Sequence, residues 1–71
     1  MVQAVDTTGL PIGKALKVER TVADLSLTRV ATAVGISAGY LSRIESGERT
    51  ASAELVAKIR VAIRAGQRSV A

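Results

Sequence analysis

Seventy-one residues suffice for one small domain, and the lack of both Cys and His excludes disulfides, zinc fingers, thiol nucleophiles and imidazole acid–base chemistry. Ten Lys and Arg against six Asp and Glu leave a net charge of +4, all of it after Leu55 in Lys58, Arg60, Arg64 and Arg68. That balance favours a polyanion such as nucleic acid, while no apolar run nears the ~18 residues of a membrane span and no export leader opens the chain.

The expectation is a cytoplasmic domain that is not an enzyme and has no cofactor, metal, small-molecule ligand or membrane partner. Of its 34 apolar residues, 21 are Ala or Val, so the core has to be built from small side chains. A chain this short buries only about 60% of its unfolded surface, and close helix packing or a partner subunit must make up the difference.

In chain order, residues 1–9 alternate weakly and end in Thr-Thr-Gly, which suggests an arm or a short strand. From Pro11, Ile12, Ala15, Leu16, Glu19 and Ala23 recur at spacings of three and four, predicting a helix that ends near Asp24. Ser26 offers a cap to a second helix, with Leu27, Val30, Ala31 and Val34 buried and Gly35 as its stop. Ser37 offers a cap to a third, Ala38 to about Ser46, closed by Gly47. Residues lie ~100° apart on a helix, which sets Tyr40, Leu41 and Ile44 on one side and Ala38, Gly39, Ser42 and Arg43 on the other. Ser52 can cap a fourth helix whose stripe is Leu55, Ile59, Ala62 and Ile63, with Glu54 in its first turn and Gly66 as its expected end. The domain is therefore expected over 10–66, with a tail at 67–71.

A short helix, a turn containing Gly35 and a second short helix with a small, polar outer face fit the helix-turn-helix pattern. There the second helix enters the DNA major groove. Ala38 and Gly39 would let its backbone approach the bases; the plainer alternative is that Gly39 is a tolerated defect.

The sequence here resembles the Cro/repressor helix-turn-helix family of phages and bacteria, also called XRE. The resemblance is carried by Leu25-Ser26, by Val30-Ala31 with Gly35-Ile36-Ser37 after them, and by Tyr40-Leu41-Ser42-Arg43-Ile44-Glu45 followed by Gly47. Gly13, Leu16 and Arg20 extend it back into the first helix. It implies an all-α, lambda-repressor-like bundle of four to five helices. It also implies base reading at Ala38, Gly39, Ser42 and Arg43, and phosphate contacts from Ser37, Tyr40, Arg49 and Thr50. Arg20 and Glu45 match the family's internal ion pair.

Leu27 stands where many members have Gln, and Thr50-Ala51 where they often have Asn-Pro. The family's usual fifth helix has little chain left to form it, so Ala57 and Val61 become the candidate dimer contact, unless they are incidental surface residues. The C-terminal basic cluster reads as a solvated face, a DNA-backbone contact or a tail against an anionic membrane.

The function implied is a sequence-specific regulator of double-stranded DNA, small like a phage Cro or minimal repressor. It would act as a homodimer, at least on DNA, at a pseudo-palindromic operator. Two alternatives stand beside it: an antitoxin-type interaction module with secondary DNA binding, and an excisionase-like architectural factor. A single Tyr makes no stacking platform for single strands.

Overall fold

Four helices make up the described fold: α1 (Ile12–Val22), α2 (Leu27–Val34), α3 (Ala38–Ser46) and α4 (Ala53–Ser69). The computed structural model describes residues 9–69, with side chains as far as Gln67, so the expected arm or strand lies outside it except for Gly9. Among the described residues there is no strand, and the architecture is an all-α bundle.

The three helices with serine caps begin where the sequence suggests, and for the stated reason. The backbone N–H groups of Arg29, Tyr40 and Leu55 donate to the hydroxyls of Ser26, Ser37 and Ser52 at 3.0, 3.0 and 3.1 Å. Each satisfies a first-turn donor that the helix cannot satisfy itself. Gly35 and Gly47 end α2 and α3 in the left-handed region, at φ 81° and 88°.

At the end of α1 the left-handed residue is Asp24, φ 61°, the only described non-glycine residue with positive φ. Asp24 N–H bonds Thr21 C=O at 3.0 Å and Leu25 N–H bonds Arg20 C=O at 3.2 Å. This is the paired closure usually given to glycine. It turns the chain so that Leu25 enters the core.

Leu16, Leu25, Val30, Ala31, Leu41, Ile44, Ile59 and Ile63 form that core, drawn from all four helices and the α1–α2 turn. Its small volume demands close crossings. Gly13 provides one: a Cβ there would overlap the Ile44 carbonyl oxygen of α3, so α1 and α3 touch backbone to backbone. Gly66 provides another, since a Cβ would lie 2.7 Å from a Leu25 methyl.

Three expectations are corrected. Gly66 does not close α4, which continues to Ser69; glycine serves close packing there, and 67–69 are helical rather than tail. Ile12, assigned to the buried stripe of α1, is 45% exposed, because Gly13 and Leu16 are the residues aimed at α3 and the core. Ala38 is not on a fully open flank, being half-buried against the core.

Candidate nucleic-acid interface

Arg20 and Glu45 tie α1 to α3. Arg20 Nε and Nη2 donate to the two carboxylate oxygens of Glu45 at 2.8 and 3.0 Å, and Nη1 donates to the Leu25 carbonyl at 2.8 Å. Their side chains are only 12% and 5% exposed. A buried carboxylate is tolerated when both its oxygens are bonded to a cation, and the planar guanidinium fork suits that task. The pair orients α3 by holding the side of the helix next to its buried Leu41 and Ile44.

The opposite face of α3 is uncovered. Gly39, Ser42 and Arg43 are exposed, and a Cβ on Gly39 would meet nothing within 4 Å. Gly39 also lacks a positive φ, so neither crowding nor backbone geometry requires glycine there. That distinguishes it from Gly13, Gly35 and Gly47, each of which the fold needs. Arg43 has no side-chain partner among the described residues. Its backbone carbonyl accepts from the Arg49 N–H at 3.1 Å, which folds the following loop back onto the helix end and sets Arg49 and Thr50 beside it.

Of the other expected phosphate contacts, Ser37 accepts from the Tyr40 N–H and keeps its own hydroxyl proton to donate outward. Tyr40 is half-buried against the core, with its ring used in packing. Arg49 and Thr50 are exposed. The turn between the helices is Gly35-Ile36-Ser37, and Ile36 packs on the core to pin it.

Residues 11–71, all but the first ten, match the family model described as a helix-turn-helix domain. The chain belongs to the helix-turn-helix domain family. That family belongs to the XRE-like helix-turn-helix group. No curated protein and no solved structure matches the chain. A helix-turn-helix domain implies a DNA partner, and α2, the turn and α3 are the pair of helices in question.

One ion pair escaped the sequence reading. Arg60 Nε and Nη2 donate to the Glu19 carboxylate, both at 3.0 Å, joining α4 to α1. Arg60 is thus not a free cation of the C-terminal basic cluster. The signal was present: Glu19 stands inside the apolar stripe of α1, where a carboxylate needs a partner. Lys58 lies 3.9 Å from Glu54, both well exposed, a contact that contributes little. No helix among the described residues is long and apolar enough to cross a membrane.

Proposed function

We propose that this helix-turn-helix domain is a sequence-specific, double-stranded DNA-binding transcription regulator of the Cro/repressor kind, acting as a homodimer on a pseudo-palindromic operator. The observation that carries this reading is Gly39. The fold has no use for a glycine at that position, and a helix interior is less stable with Gly than with Ala by up to about 1 kcal/mol. A backbone left bare on an exposed helix is accounted for by a surface that has to come close to it, as the floor of a major groove does.

In this reading Arg43 carries the base recognition. It is the one strong hydrogen-bonding side chain on the face, and its guanidinium can bond guanine O6 and N7 together. Ser42 is the adaptable neighbour, and the half-buried Ala38 offers only its methyl edge. Ser37, Tyr40, Arg49 and Thr50 would hold phosphates at the two ends of α3, where capped N–H groups and cations favour anions. Arg20 and Glu45 do not touch DNA; they fix the angle at which α3 is presented.

The test begins with selection of bound genomic fragments, followed by affinity measurements on the selected duplex and on a scrambled one. Arg43→Ala should weaken the selected site about 5- to 150-fold, the equivalent of 1–3 kcal/mol, with much less effect on the scrambled duplex. Equal losses on both would reject base reading by Arg43. An antitoxin-type interaction role has one observation in its favour, the exposed Ala57 and Val61 on α4.

A further inference from the structure

The acidic side chains among the described residues each have a use in the fold, with one exception. Glu19 and Glu45 hold Arg60 and Arg20 across helices. Asp24 takes the left-handed position that closes α1, and Glu54 stands in the first turn of α4, where the helix dipole favours a carboxylate. Glu48 is left over. It is exposed and has no ion-pair partner among the described residues, and the Ser46 hydroxyl reaches its carboxylate only at a long 3.5 Å.

Its place makes the charge unfavourable. Glu48 directly follows Gly47, the residue that ends α3, so it stands by the negative end of that helix dipole, where a cation would be favoured instead. The Ser46 hydroxyl also donates to the Arg43 carbonyl at 3.1 Å, and the Arg49 N–H donates to the same oxygen at 3.1 Å. One carbonyl, that of the residue assigned to base reading, therefore anchors the loop on both sides of Glu48. The carboxylate is kept beside Arg49 and Thr50, on the end of α3 that is to meet phosphates. The fold gains nothing from an acid there, and an approaching polyanion is repelled by it.

We propose that Glu48 is an electrostatic brake on DNA binding, its charge opposing the phosphates that Arg49 and Thr50 approach and lowering affinity for every duplex alike. The proposal rests on the regulator reading above and adds what keeps its phosphate contacts weak. Phosphate attraction is independent of sequence and supplies essentially all of non-specific binding. With Arg49 offset by its own neighbour, the contacts at this end of α3 do not hold the chain on arbitrary DNA. Lasting residence is left to the base contact of Arg43.

Glu48→Gln keeps the shape of the side chain and removes its charge. Its affinity should rise by a similar factor on the selected duplex and on the scrambled one, about 3- to 10-fold at ~50 mM salt, as expected for one unit charge near phosphates at a protein surface. Raising the salt to ~300 mM should erase most of that gain, because screening acts on charge and not on shape. Glu48→Asp, which keeps the charge, should bind like the wild type, and Glu48→Lys should gain more than Glu48→Gln.

Glu48→Gln that binds no tighter than the wild type, or whose gain is indifferent to salt, overturns the proposal. So does a loss confined to the selected duplex, which would make Glu48 an acceptor for a cytosine amine instead of a brake. In each of these cases the regulator reading stands. A wild-type chain with which no bound fragment can be selected overturns that reading and the brake with it.

Discussion

Glu45→Ala tests how α3 is held. The substitution removes the carboxylate that accepts two Arg20 hydrogen bonds at 2.8 and 3.0 Å, in a setting where the Arg20 side chain is 12% exposed. Arg20 keeps only its bond to the Leu25 carbonyl, so a largely buried guanidinium loses its counter-charge and two of three acceptors. Breaking a buried pair on one side costs about 3–5 kcal/mol. A chain of this length holds about 4–11 kcal/mol in total, at 0.05–0.15 per residue. The variant should thus be marginal: at 4–8 °C per kcal/mol its melting temperature should fall by about 12 °C or more. Thermal melts by circular dichroism read this directly. Arg20→Met with Glu45→Leu should recover most of the loss, because no charge is left buried, short of the ~1 kcal/mol for the orphaned Leu25 carbonyl. A Glu45→Ala melt within ~2 °C of the wild type, far below the shift that this burial implies, would refute the claim that the pair carries the α1–α3 contact.

Gly39→Ala should raise the melting temperature, by up to about 4–8 °C for a gain near 1 kcal/mol, and at the same time weaken DNA binding; a variant that binds as tightly as the wild type would show that nothing approaches this backbone closely. Arg49→Ala should lower affinity alike on all duplexes and flatten the log–log salt dependence by somewhat under one unit, and an unchanged slope would exclude a phosphate contact. Asp24→Gly should stabilise the fold by about 0.5–1 kcal/mol, since glycine occupies the left-handed region without the Cβ penalty, and a lower melting temperature would show that Asp24 contributes more than its backbone angle.

The positions of the helices were legible because local chemistry sets them. Ser26, Ser37 and Ser52 cap from one residue outside the helices they start, and Gly35 and Gly47 reach left-handed angles that other residues resist. The exposed trio Gly39, Ser42 and Arg43 could be placed opposite Leu41 and Ile44 by helical spacing alone.

Glycine shows where such reading stops. Gly66 looked like Gly35, a stop signal, yet it lies inside a helix, because its neighbour is Leu25, 41 residues away in sequence. Gly13 and Gly66 make close contacts whereas Gly39 faces open space, though all are chemically the same residue, and the difference resides in what stands opposite each one. Charges behave alike. Arg60 and Arg64 belong to one basic run, but Glu19 of another helix claims the first, while the second has no ion-pair partner among the described residues. Sequence by itself determined where helices start and which residues share a face, since caps and periodicity act within a few residues. Tertiary structure alone decided which glycines are contacts, which cations are free and which faces stay bare, since these depend on groups that meet only when distant segments pack.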